Sequence, residues 1–378
     1  MDTFRLQALH DAGQSIWLDY IDRAMLHNGD LERRLSDDVL TGMTSNPTIF
    51  EKAMAQGTAY DEQLKSIPAG QSAWEIFELV ETDDVRTACD IFADIYNTTD
   101  GKDGYVSIEV SPGVANDTQG TIEEARRLWK TVNRPNLMVK VPGTEAGAKA
   151  VQELLTEGIN VNITLLFSVQ AHERVIDAYL AALEARVARG LPIDRLASVA
   201  SFFVSRVDTE VDKRLDALLK NASGDQAARL SKLKGKAAIA NAKMAYQLFL
   251  EKFSGPRWEA LAAKGASVQR PLWASTSTKN PEYRDVMYVE ELIGPDTINT
   301  MPPQTIEAFR DHGEVARTVD DQVDEAKHVI DELAAVGIDL TDVTDQLLRE
   351  GLASFSKSFD SLIAGIETKV AQLSASAV

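Results

Sequence analysis

Eight short runs of apolar or alternating residues, each followed by a helical pattern, constrain this chain more than any other feature of its sequence. The runs fall at 15–19, 42–46, 105–110, 137–141, 160–166, 198–204, 270–275 and 297–301. Between them lie amphipathic stretches such as 121–131, 146–156, 169–188 and 236–253. Strands alternating with helices build parallel sheets, because a parallel connection needs a crossover long enough to hold a helix. Eight such units predict an α/β fold, a (β/α)8 or TIM barrel. The rival is a doubly wound open sheet, but the glycine-rich dinucleotide turn is missing after every run. Four segments exceed a minimal barrel. Residues 1–14 read as an N-terminal helix, 48–100 as a helical excursion, and 223–235 as an extension of the connection after the sixth strand. The tail, about 305–378, reads as amphipathic C-terminal helices packed outside the barrel. No linker-like tract interrupts residues 1–378, so a single domain with these additions is expected.

Charge and cysteine content narrow the function. The 39 Lys and Arg against 58 Asp and Glu leave a formal charge of −19. Such a surface repels phosphate backbones and anionic membranes, so neither nucleic acid nor a membrane is an expected partner. The lone Cys89 excludes an intrachain disulfide framework and suits a reducing compartment. No run of about 18 apolar residues predicts a membrane span. The start, Met1-Asp2-Thr3-Phe4-Arg5, lacks a basic segment followed by an apolar core, so no secretory signal is expected. A soluble, cytoplasmic protein is the expectation.

The alternation inside the strands points to chemistry. In 160–165, Val161, Ile163 and Leu165 share one face, while Asn160, Asn162 and Thr164 share the other. Val106, Ile108 and Val110 oppose Ser107 and Glu109 in the same way, and Ile16 and Leu18 oppose Trp17 and Asp19. Taken singly, each pattern also fits a half-exposed antiparallel strand. Repeated with polar residues near the C-terminal ends, it places those residues where a barrel builds its active site. Lys140 stands in the apolar segment Leu137-Met138-Val139-Lys140-Val141-Pro142. Either it lies at a sheet edge with its ammonium in water, or it is buried and chemically used. Burial favours the free amine that a carbonyl nucleophile requires, so the second reading leads to a Schiff base.

Competing signals are weak. Histidines 10, 27, 172, 312 and 328 form no HExxH and no close pair on a strand end, so they read as surface or helix residues and no metal is expected. The segment Pro142-Gly143-Thr144-Glu145-Ala146-Gly147 reads as a strand-to-helix turn rather than a phosphate loop. The acidic run Glu81-Thr82-Asp83-Asp84 reads as a solvated helix start.

Four segments together resemble the signature segments of transaldolases. They are Thr44-Ser45-Asn46-Pro47-Thr48, Val139-Lys140-Val141-Pro142-Gly143-Thr144, 160–168 and Ser201-Phe202-Phe203-Val204-Ser205-Arg206-Val207-Asp208. They occur in the family's order, and the length and long tail resemble its longer bacterial form. The resemblance implies that Lys140 forms the Schiff base with a donor ketose and that Asp19 is the acid/base acting on the sugar C4 hydroxyl. It further implies that Glu109 acts through a catalytic water that Thr164 helps to hold. Asn46 and Asn162 match asparagines that hydrogen-bond the dihydroxyacetone part, and Ser201 and Arg206 match substrate and phosphate contacts. Ser277 matches a serine of the same region, and Lys279 falls where shorter members carry arginine. A lysine meets a phosphate as a point charge, without the bidentate fork of a guanidinium. The implied reaction moves dihydroxyacetone from sedoheptulose 7-phosphate to an aldose-phosphate acceptor in the non-oxidative pentose phosphate pathway, with no cofactor or metal. The partners are then phosphorylated sugars; oligomeric state is not read from the sequence. A class I aldolase of the same superfamily, acting on fructose 6-phosphate, is the neighbouring alternative, since both need the lysine.

Overall fold

The computed structural model describes residues 4–45, 47–68 and 70–375. Its strands are β1 (Gln14–Asp19), β2 (Leu40–Thr44), β3 (Tyr105–Glu109), β4 (Leu137–Pro142), β5 (Val161–Leu166), β6 (Ser198–Phe203), β7 (Arg270–Ala274) and β8 (Thr297–Met301). They pair in parallel, each with the next, and β8 pairs with β1 to close a barrel. All eight expected runs are strands. The second lies two residues earlier than expected: β2 begins after Val39, whose φ of 53° sets a left-handed turn, and ends before Ser45.

Two hydrophobic layers explain the alternation. Ile16, Leu18, Val106, Ile108, Val139, Val141, Val161, Ile163 and Phe202 belong to the larger core, between the sheet and its helices. Trp17, Tyr105, Met138, Val199, Leu272 and Ile298 form a separate cluster inside the barrel. Trp17 explains Gly42 on the neighbouring strand, because a Cβ there would come within 2.4 Å of the indole. Asp103 accepts from Trp17 Nε1 at 2.8 Å, and Arg270 donates to Ser15 Oγ at 2.6 Å and the Thr297 carbonyl at 2.8 Å. These bonds close the N-terminal end and leave the C-terminal end for chemistry.

Three features depart from the sequence reading. The β5 register breaks between Ile163 and Leu166, and Leu165 has φ 58°, so Leu165 leaves the outward face it was expected to share. A bulge of this kind re-aims a side chain, here toward the barrel mouth. The run Glu81-Thr82-Asp83-Asp84 is not a helix start. It lies midway in the helix Ala73–Ile91, with Glu81, Thr82 and Asp84 buried. Asp84 there accepts from Arg23 at 2.7 Å and from Tyr60 Oη at 2.8 Å, which compensates its burial. The helices after β8 are Pro303–His312, Val323–Ala335 and Leu340–Ala375, and the last does not merely pack outside the barrel. With 36 residues it is about 54 Å long at the α-helical rise, enough to cross the barrel mouth.

Candidate active site

A cleft of about 850 Å³ opens at the C-terminal ends of the strands. Asp19, Thr44, Glu109, Lys140, Thr164, Ser201 and Thr300 line its floor, and Arg206, Ser277 and Lys279 line its mouth. Lys140 belongs to a closed barrel, paired on both sides, so the edge-strand reading falls away. Its residue exposure is 9%, and its Nζ donates to Glu109 Oε2 at 3.2 Å and to the Ser45 carbonyl at 3.3 Å. The register explains the pair, because Glu109 and Lys140 are direct cross-strand partners whose side chains leave the sheet on one face. Burial raises the Glu109 pKa above the ordinary glutamate value; Lys140 opposes the rise and the charge of Asp19 adds to it.

Asp19 stands across the floor. Its carboxylate accepts from Thr44 Oγ1 at 3.0 Å, and Thr44 meets Thr300 Oγ1 at 2.8 Å. A hydroxyl has one hydrogen, and that of Thr44 goes to Asp19, so Thr300 donates to Thr44. This relay from β8 through β2 to β1 holds the carboxylate in one orientation. The Thr164 hydroxyl has no protein hydrogen bond among the described residues and faces the cleft, free for a water or a substrate. Ser201 Oγ donates to Asn162 Oδ1 at 2.7 Å, and Asn162 Nδ2 donates to Ser107 Oγ at 3.0 Å.

At the mouth the charge changes sign. Arg206 and Lys279 form no ion pair among the described residues, although the chain carries a −19 excess of acid. Asp208, an available partner for Arg206 by sequence, instead accepts from Ala238 N at 2.7 Å and Tyr288 Oη at 2.8 Å. The Arg206 guanidinium lies 5.3 Å from the centre of the Phe203 ring. Two uncommitted cations above a buried amine and two carboxylates suit an anionic carbonyl substrate.

The sequence matches the model of the transaldolase/fructose-6-phosphate aldolase family over residues 16–366. It is 49% identical to transaldolase 2 of Nostoc sp. over 374 residues, covering 98% of each chain. The transaldolase of Saccharopolyspora erythraea is 48% identical over 97% of this chain and 98% of its own. That of Mycolicibacterium smegmatis is 48% identical over 95% of both. The chain belongs to the transaldolase/fructose-6-phosphate aldolase family.

The barrel brings eight of the ten residues singled out for this transaldolase-like chemistry to one cleft: Asp19, Glu109, Lys140, Thr164, Ser201, Arg206, Ser277 and Lys279. Asn162 does not line it. Its amide is fully buried and acts on the cleft through Ser201. Asn46 lies outside the described residues. Thr44 and Thr300 were not singled out as site residues, although the first stands in a signature segment. Gly351, Ser354, Phe355 and Ser358 also line the cleft, from the helix Leu340–Ala375, and carry no local signal of chemistry. Their spacing of three or four puts them on one helix face, which was the available clue. Among the described residues no cluster of His, Cys, Asp and Glu could hold a metal, and no helix is long and apolar enough to cross a membrane.

Proposed function

We propose that this chain transfers dihydroxyacetone from sedoheptulose 7-phosphate to an aldose phosphate such as glyceraldehyde 3-phosphate, giving erythrose 4-phosphate and fructose 6-phosphate, through an imine at Lys140. The observation that carries the reading is the buried Lys140–Glu109 pair at 3.2 Å, sharing a cleft floor with Asp19. The amine of Lys140 adds to the ketose C2 carbonyl. Glu109, whose burial favours its protonated form, supplies and recovers protons through a water near Thr164 as the carbinolamine loses water. Asp19 then takes the C4 hydroxyl proton while the C3–C4 bond breaks, and the electron pair enters the iminium to give an enamine. Glyceraldehyde 3-phosphate leaves after fructose 6-phosphate cleavage, or erythrose 4-phosphate after cleavage of the seven-carbon donor. The enamine adds to the incoming aldehyde, Asp19 returns the proton, and water releases the new ketose.

Arg206 and Lys279 receive the phosphate, Ser277 lies beside them, and Ser201 and the asparagines Asn46 and Asn162 serve the dihydroxyacetone end, Asn162 by orienting Ser201. The partners are phosphorylated sugars rather than nucleic acid or membrane, and no cofactor enters the steps. The reading places the chain in the cytoplasm and in the non-oxidative pentose phosphate pathway. The near-full-length likeness to proteins named transaldolase favours transfer over simple aldol release. A coupled assay with sedoheptulose 7-phosphate tests this directly. Fructose 6-phosphate should form only with added glyceraldehyde 3-phosphate; equal dihydroxyacetone release with and without acceptor would favour the aldolase reading.

A further inference from the structure

The terminal helix Leu340–Ala375 has a fixed course over the barrel. At its start, Arg214, on the helix after β6, donates to Asp342 at 2.7 Å and Gln346 at 2.8 Å. Gly351 then passes over the end of β5, where a Cβ would lie 3.1 Å from Leu165 Cδ2 and 3.7 Å from Phe167. Two turns later Ser358 Oγ accepts from Thr48 Oγ1, beyond β2, at 2.8 Å. Phe359 packs edge-on against Phe77 at 5.8 Å, and Lys369 meets Asp61 at 2.9 Å. The segment from Gly351 to Ser358 thus spans the mouth from β5 to β2. The strands under that chord are β3 and β4, which carry Glu109 and Lys140. Arg206 and Lys279, after β6 and β7, lie outside it.

Phe355 stands midway on this chord. It lines the cleft, is half-buried, and among the described residues packs against neither hydrophobic core, whereas its helix neighbours Leu352 and Phe359 pack against the larger one. Its side chain shares the cleft lining with Glu109 and Lys140.

We propose that Phe355 shields the Lys140 imine and enamine from bulk water and so determines the partition between transfer and release. This rests on the Schiff-base reading above. Release is the competing path of the same intermediate. The enamine carbon takes a proton, water adds to the iminium carbon, the C–N bond breaks, and free dihydroxyacetone leaves as Lys140 regains its amine. Transfer replaces the proton by the acceptor aldehyde. Both paths end in imine hydrolysis, which the water beside Glu109 serves, and only release protonates the enamine carbon. Keeping bulk water from that carbon slows release and leaves aldehyde addition open on the phosphate side, where the cations draw the acceptor in.

The test measures two rates on one enzyme preparation with fructose 6-phosphate as donor: dihydroxyacetone formed without acceptor, and sedoheptulose 7-phosphate formed with erythrose 4-phosphate. Their ratio does not depend on how much protein is correctly folded. Phe355→Ala should raise the release-to-transfer ratio about tenfold, a differential barrier of ~1.4 kcal/mol. Phe355→Leu, which keeps an apolar cover, should restore a ratio near that of wild type. An unchanged or lower ratio in Phe355→Ala overturns the shielding role. A wild-type protein that forms no sedoheptulose 7-phosphate instead sinks the transferase reading itself, so the two failures are distinct.

Discussion

Replacing Lys140 by methionine keeps the length and apolar stem of the side chain and removes the cation beside Glu109. The two groups are 3.2 Å apart, and at an effective dielectric of 20 unit charges at that distance attract by about 5 kcal/mol. Lost hydration offsets part of this, and breaking a buried pair typically costs about 3–5 kcal/mol, because the surviving charge is stranded. Glu109 has an escape, which is to bind a proton. Protonation limits the cost to about 1.4 kcal/mol per pH unit above the ordinary glutamate value of 4.5. The sign follows from the direction of the shift. Burial already raises the Glu109 pKa, and without Lys140 it rises further, so the folded variant holds this proton more tightly than the unfolded chain does. Stability from the group is then fullest below pH 4.5 and is lost as pH rises through the folded-state value. The wild-type value is itself raised, so urea unfolding of the two proteins should differ least at pH 5 and by progressively more toward pH 7.5, up to about 4 kcal/mol. A difference that stays flat from pH 5 to pH 8 would refute a buried, charge-paired Lys140.

Asp19→Asn should slow carbon–carbon cleavage and let imine accumulate, whereas Glu109→Gln should slow imine formation and hydrolysis. Each loss should be about 10²–10⁴-fold, and single-turnover trapping distinguishes the two; wild-type rates in both would leave the carboxylates merely structural. Arg206→Ala should raise KM for phosphorylated donors about tenfold or more, the effect of one charge-assisted hydrogen bond, while barely changing turnover of unphosphorylated fructose. Lys279→Ala should do the same more weakly, and equal losses on both donors would remove the phosphate assignment. Burial lowers the His172 pKa to about 4 from 6.5, so its stability contribution is complete above pH 6.5 and is lost as pH falls toward 4. His172→Leu should therefore flatten about 2 kcal/mol of the stability change between pH 8 and pH 5, and an unchanged profile would contradict the buried neutral ring.

The barrel was legible because several strands repeat one constraint: apolar residues outside toward the helices, and polar residues of the inner face gathered near the C-terminal ends. Ile108 beside Glu109 and Val139 beside Lys140 are local pairs, and they predict facing directions without knowledge of neighbours. Leu165 was misread because alternation assumes an unbroken pleat, and a bulge at φ 58° shifts the pattern by one residue. Asp84 was misread because an acidic run looks solvated until Arg23 and Tyr60, distant in sequence, arrive to compensate it. The terminal helix announced its amphipathic face but not the surface that face would meet. Its course is set by Thr48 and Phe77 from the connection after β2 and by Arg214 from the one after β6. Asn162 was correctly read as inward-facing, but inward depth follows from barrel closure and not from strand periodicity.

The central claim is that Lys140 is the nucleophile. Incubating the protein with fructose 6-phosphate, reducing with borohydride and mapping peptides by mass spectrometry tests it most directly. A stable dihydroxyacetone-derived adduct is expected on the peptide carrying Lys140, absent without substrate and absent in Lys140→Met. An adduct on another lysine, or turnover that survives in Lys140→Met, would contradict it.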